Sequence, residues 1–129
     1  MTTAAERAGE SAALAFIDRF NAQDHAGLAA TLNYPHVRLA NDRFVTVESA
    51  EDFARRSAAN QPNLEAEGWH HTDVRSLEIV HSGETKVHLA LTIDRCREDG
   101  SVYNTFDTLW IATCLDGHWG IQFRSSYLR

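Results

Sequence analysis

His71, Asp73 and Tyr127 are the side chains whose types could move protons together. A histidine oriented by a carboxylate, with a phenol opposite, is a workable general base and proton donor for a dehydration or cyclisation. Arg95 and Asn104 would give such a site a polar mouth, and Trp69 a wall. Seven histidines also raise the question of a metal. His70 and His71 are adjacent on a strand, are expected on opposite faces, and so should not chelate together. No His-x-x-x-His stands on a helical stretch, and no metal site is expected. Gly-x-Ser-x-Gly, a phosphate-binding glycine loop and a dinucleotide fingerprint are absent, and no cofactor is expected.

The strands that would position these groups are read from alternation. Val87, Leu89, Leu91 and Ile93 alternate with His88, Ala90, Thr92 and Asp94, the period of a strand with one buried face. Asp99-Gly100 and Asp116-Gly117 tolerate the positive φ of tight hairpin loops, so strands are expected from Lys86 up to the first turn, over 102–115 and over 119–128. Pairing Glu98 with Ser101 sets Ile93 against Phe106, Leu89 against Trp110 and Cys96 against Tyr103. Pairing Leu115 with His118 sets Trp110 against Phe123 and Phe106 against Tyr127.

This register collects Phe106, Trp110, Ala112, Ile121, Phe123 and Tyr127 on the inner face with the β-branched and leucine row. The outer face receives Asp107, Gln122, Arg124 and Ser126, with Leu109 and Ile111 as an apolar patch and Arg124 diagonal to Asp107. Cys96 and Cys114 fall on opposite faces, so no disulfide is expected.

Before the meander, residues 4–22 carry Ala8, Ser11, Ala12, Ala15, Phe16, Arg19 and Phe20 at helical spacing, with Leu14 and Ile17 widening the apolar stripe. Asp24 caps a second, short helix. Pro35 ends helical structure, and strands follow at 36–40 and 43–47, with His36 and Arg38 pointing one way and Val37 and Leu39 the other. Ser49 opens a third helix that should end near Ala59, with Phe53 inward, before a loop containing Pro62. The strand 69–80 is expected to join the meander through a three-residue loop with Gly83 left-handed. That pairs Ile79 with Val87 and Leu77 with Leu89, burying two aliphatics instead of Glu78. The same row then continues inward through Arg75, Asp73, His71 and Trp69, beside Arg95 and Asn104. Asp73 paired with Arg95 or Arg75 is the purely structural alternative to the proton-transfer set.

One domain over residues 1–129 is expected, with a hydrophobic share of 43% and a charged share of 23%. The net charge is −6 and no basic stripe interleaves with aromatics, which argues against nucleic acid as a partner. The polar start and the lack of any bilayer-length apolar stretch argue against a signal peptide and a membrane partner, and a cytoplasmic location is the expectation.

Helix, short helix, strand pair, helix and a four-stranded meander is an order that resembles the nuclear transport factor 2-like superfamily. The ending "DGHWGIQFRSSYL" is similar to the last hairpin of SnoaL-like, polyketide cyclase-like domains, and "FIDRFNAQDHAGLAATL" to their opening helix pair. The resemblance implies an α+β, cystatin-like cone: a curved mixed or antiparallel sheet wrapped around an N-terminal helix, with two further helices. It implies a pocket at the open end for a small, partly hydrophobic molecule. Phe16, Phe106, Trp110, Phe123, Ser125, Trp69, Arg95 and Asn104 are the candidate lining residues. It also implies a homodimer formed through the sheet. The positions that serve ketosteroid isomerases as acid and base are held here by Phe16, by Ala40 or Asn41, and by Trp110, none of which can exchange the required protons. The His71–Asp73–Tyr127 set would be the chemistry of a lyase, isomerase or cyclase, and a non-catalytic dimeric interaction module is the other alternative.

Overall fold

The structure is a computed structural model that describes residues 2–128. Its elements run α1 (Ala4–Asn21), α2 (His25–Ala30), β1 (Leu32–Ala40), β2 (Arg43–Val47), α3 (Ala50–Ala66), β3 (His71–Ser82), β4 (Lys86–Cys96), β5 (Val102–Leu115) and β6 (His118–Ser126). The six strands form one sheet in the order β2-β1-β6-β5-β4-β3. Only β1 and β6 pair in parallel; the other neighbours are antiparallel. This is the cystatin-like α+β cone, not closed into a barrel, with α1 laid against the concave face.

α1 begins with a reciprocal capping box between Thr3 and Glu6. Its inward stripe is Gly9, Ala12, Ala13, Phe16 and Ile17, turned away from Ser11, Leu14 and Arg19, which are exposed. The small residues matter because a Cβ on Gly9 would sit 3.0 Å from Val87 Cβ. Close approach of helix to sheet fully buries Val87, Leu89 and Ala112 beneath it. Asp24 caps α2 by accepting from the Gly27 amide at 3.0 Å, as expected from its position.

α3 continues through Pro62 to Ala66 rather than ending near Ala59. Proline removes one helical hydrogen bond. Tertiary anchors offset that loss: Leu64 is buried, and the His25 ring binds Ser57 Oγ at 2.8 Å and Gln61 Oε1 at 2.9 Å.

The hairpin at Asp116-Gly117 is as expected, both residues having positive φ and Leu115 pairing with His118. At the other hairpin the Arg97 amide bonds Ser101 O, so the loop holds three residues and Cys96 pairs with Val102, not Tyr103. A register shift after Arg95 leaves Ile93 opposite Phe106 and Leu89 opposite Trp110, as read from the sequence. Both cysteines are free.

Three further irregularities change which face side chains reach. In β3 the register slips between Ile79 and His81 and again between Val74 and Ser76. Ile79 and Leu77 remain on the core side but pair with Leu89 and Leu91, and Gly83 does not take positive φ. Beyond Arg75 the inward positions are Val74 and Thr72, so Arg75, Asp73 and His71 turn outward, against the expected row.

In β6 Ile121 pairs with Ala112 but Phe123 pairs with Ile111, which makes Gln122 the extra residue. Thr113 Oγ1 donates to Gln122 Oε1 at 2.8 Å, and Gln122 Nε2 donates to Pro35 O at 3.2 Å, pinning the bulge between β5 and β1. Next to it Gly120 lies against β1 so closely that a Cβ would meet Leu32 C at 2.7 Å. Every side chain after the bulge is therefore reversed from the expected register. Arg124 and Ser126 face inward, and Phe123, Ser125 and Tyr127 face outward.

Candidate functional site

Two places gather groups capable of chemistry. The first is the end of β3, where His71 Nε2 lies 3.6 Å from Asp73 Oδ2 with side-chain exposures of 30% and 65%. Cys96 Sγ comes within 3.7 Å of Asp73 Oδ2, because β3 and β4 pair His71 with Cys96. His71, Asp73 and Cys96 thus present donor atoms within 4.8 Å of one another and are the residues that could hold a metal ion here, a grouping not foreseen from the sequence. Burial, then the Asp73 charge and hydrogen bond, push the Cys96 thiol up, which opposes the thiolate that metal binding needs. His70 also departs from expectation. It precedes the strand, and its Nδ1 meets His71 Nδ1 at 2.9 Å instead of pointing to the opposite face.

Tyr127 does not join them. It is 69% exposed and lines a shallow outer groove with Ser76, Glu78, Thr92 and Leu109. The ion pairs also differ from the expected ones: Arg75 binds Asp94 at 3.0 Å, and Arg95 binds Glu67 at 2.9 Å. Asp107 accepts from Thr92 Oγ1 at 2.9 Å and has no Arg124 beside it on the outer face.

The second place is the concave side. A cavity of about 220 Å³ opens between α1, α3, β1 and β2, and a smaller one of about 40 Å³ lies against β4 and β5. Phe16, Phe20, Arg38, Arg95 and Arg124 line both. Of the expected lining residues, Phe16, Arg95, Phe106 and Trp110 are in place. Trp110 Nε1 donates to Thr108 Oγ1 at 2.9 Å, and its ring meets Phe16 edge-on with centroids 4.9 Å apart. Asn104 pairs with Arg95 across the strands and is half-buried. Trp69 lies outside β3, donates to Thr72 Oγ1 and buttresses Phe20 from behind. Phe123 and Ser125 are removed to the outer face by the β6 bulge.

Arg38, Arg124 and His36 are the residues the sequence reading did not place in the pocket. Arg38 and Arg124 are direct neighbours in the parallel β1–β6 ladder. His36, 1% exposed, donates from Nδ1 to Ile121 O at 3.0 Å and accepts at Nε2 from Arg124 Nε at 3.1 Å. That fixes the neutral tautomer. Burial first, then the Arg124 charge, depress the imidazole to about 3. Burial first, then Arg38 and Arg95, hold Arg124 well below its usual value. Arg124 Cζ sits 4.8 Å from the centroid of Phe16 and 6.0 Å from that of Phe53. Arg38 Nε is buried without a partner. Among the described residues neither Arg38 nor Arg124 has a salt bridge. One local signal points here: a glycine inside a strand marks a bulge or a close backbone approach, and Gly120 is the close approach, two residues before the bulge at Gln122.

The family model of NTF2-like protein (DUF6841) matches residues 11–124. No curated protein matches the chain. Among solved structures, a cystatin-like protein of unknown function from Nostoc punctiforme superposes with a TM-score of 0.74 at 14% identity, covering 99% of this chain and 94% of that one. An NTF-2 like protein of unknown function from Shewanella oneidensis gives 0.68 at 13% identity, with 92% and 94% covered. A ketosteroid isomerase-like protein from Erwinia carotovora gives 0.67 at 15% identity, with 95% and 94% covered.

Proposed function

This chain belongs to the family of NTF2-like proteins DUF6841, and from that frame we propose that it binds a small, partly hydrophobic molecule in the concave pocket. The observation that carries this reading is the cavity of about 220 Å³ walled by Phe16, Phe20, Leu28, Val47 and Phe53 beside arginine side chains. Apolar walls with a few convergent polar groups are the usual make-up of a small-molecule site. Binding without turnover is favoured over a lyase, isomerase or cyclase, because His71 and Asp73 face away from the cavity and Tyr127 is apart from both. Phe16, which lines it, and Trp110, which lines the smaller cavity, exchange no protons. The test is chemical-shift mapping with a panel of one- and two-ring amphiphiles. Shifts should concentrate on Phe16, Phe20 and Phe53, and a panel that leaves all three unmoved would overturn the reading.

A second reading concerns the outer face and rests on the β6 bulge. By turning Phe123 outward beside Ile111 and Leu109, the bulge enlarges the apolar patch expected there. The occupant that fits is a second copy of this chain, paired sheet to sheet. Sedimentation should show a dimer that Ile111→Arg converts to monomer; a wild-type monomer at all concentrations sinks it.

A further inference from the structure

Four arginines, Arg38, Arg56, Arg95 and Arg124, line the larger cavity, and among the described residues no carboxylate lines either cavity. The whole chain carries 18 acidic residues against 12 basic ones, so this local sign is opposite to that of the molecule. Two of the four are already neutralised by protein: Arg95 by Glu67 at 2.9 Å and Arg56 by Asp52 at 3.0 Å. Among the described residues Arg38 and Arg124 have no such partner, although they stand side by side in the ladder, where like charges repel.

Their inward placement is also built rather than incidental. Without the bulge at Gln122, Arg124 would reach the solvent face and Phe123 would fill the core. The fold instead staples Gln122 to Thr113 and Pro35 and brings the guanidinium inside. His36 then holds only Nε of Arg124, and the terminal amino groups have no partner among the described residues. An arrangement that breaks the local hydrophobic pattern and turns two half-buried guanidinium groups without salt bridges onto a cavity wall is what a binding site looks like when its ligand supplies the missing partner.

Resting on the pocket reading above, we propose that the ligand is an organic carboxylate. Its anionic head bridges Arg38 and Arg124, and its apolar body, one or two rings in size, lies among Phe16, Phe20 and Phe53. Two planar guanidinium forks offer a carboxylate parallel N–H···O bonds that an amide or alcohol cannot replace. Phe16, already stacked on Arg124, continues as the wall for the apolar body. The cavity of about 220 Å³ exceeds the roughly 150 Å³ that holds a benzene ring.

The experiment is calorimetric titration of the full chain with 2-naphthoate, 2-naphthamide and inorganic phosphate, repeated on Arg38→Met and Arg124→Met. The expected result is naphthoate binding at least tenfold tighter than naphthamide or phosphate, with that preference lost in both variants while their melting temperatures are unchanged or raised. Equal affinity for acid and amide overturns the carboxylate and leaves the pocket reading standing. No binding of either overturns both. Phosphate binding as tight as naphthoate overturns the apolar body, and naphthoate binding unaltered in folded variants overturns the roles of Arg38 and Arg124. A variant that fails to fold leaves the acid–amide comparison on the unaltered chain to decide.

Discussion

His36 and His71 both lie on this sheet beside charged side chains, and their surroundings make them opposites. His71 sits at an edge with Asp73 and His70 in reach of water, and Asp73 is 65% exposed. His36 is 1% exposed, locked between Ile121 O and the Arg124 guanidinium. By residue type His71–Asp73 is the more suggestive pair, and yet it is His36, with no carboxylate near it, that the fold constrains. The difference teaches that charge left uncompensated inside a fold is a stronger mark of a site than complementary charge on its surface, because only the former costs stability to keep.

The sharpest way to break the comparison is at Gly120, which gives the buried side its geometry. Gly120→Ala puts a Cβ 2.7 Å from the Leu32 backbone, which cannot yield as a flexible side chain would. A loss of about 3 kcal/mol is expected in chemical denaturation, where a loss under about 1 kcal/mol would show that β1 adapts.

Acid tests His36 directly. In the unfolded chain it takes up a proton below about pH 6.5, whereas in the fold it stays neutral down to about 3. The unfolded state therefore holds the extra proton across that window, so stability falls as pH drops through it. From pH 6.5 to 5 this one residue should remove roughly 1.5–2 kcal/mol. That fall should be absent from His36→Gln when the two proteins are unfolded in parallel, and identical slopes would mean that His36 takes up its proton alike in the folded and unfolded chain.

Arg124→Met should stabilise the protein by about 1 kcal/mol, since an apolar side chain of similar reach replaces a half-buried charge that has no salt bridge among the described residues. A lowered melting temperature would show that the Phe16 and His36 contacts outweigh the cost of burial. At the other site His71→Ala should change stability by less than about 0.5 kcal/mol, the usual effect of a surface substitution. A larger loss there would mean that the β3 end is structurally more committed than its exposure implies.

Much of the frame was legible from residue types. Asp99-Gly100 and Asp116-Gly117 both mark observed turns, and the Val87–Ile93 alternation faces Phe106 and Trp110 as read. Of the pocket, Phe16, Arg95, Phe106 and Trp110 were also legible, since they lie on the unbulged side of those strands. What escaped was each single-residue insertion. Arg75 and Gln122 look like ordinary members of an alternating row, and the bonds that hold Gln122 out of register come from Pro35 and Thr113, far away in the chain. Pro62 misled for the same reason, because the contacts of Leu64 and His25 that keep α3 helical belong to other elements.

The amino-acid order by itself determined the strands of the meander, two of their turns, the helix start at Ala4 and those after Asp24 and Ser49, and the aromatic floor of the cone. Tertiary structure alone decided that Arg124 points inward beside Arg38, that Tyr127 leaves the pocket and that His36 stays neutral. Side-chain direction has a period of two along a strand. One extra residue held by a distant partner therefore reverses everything beyond it, and nothing local records that it has done so.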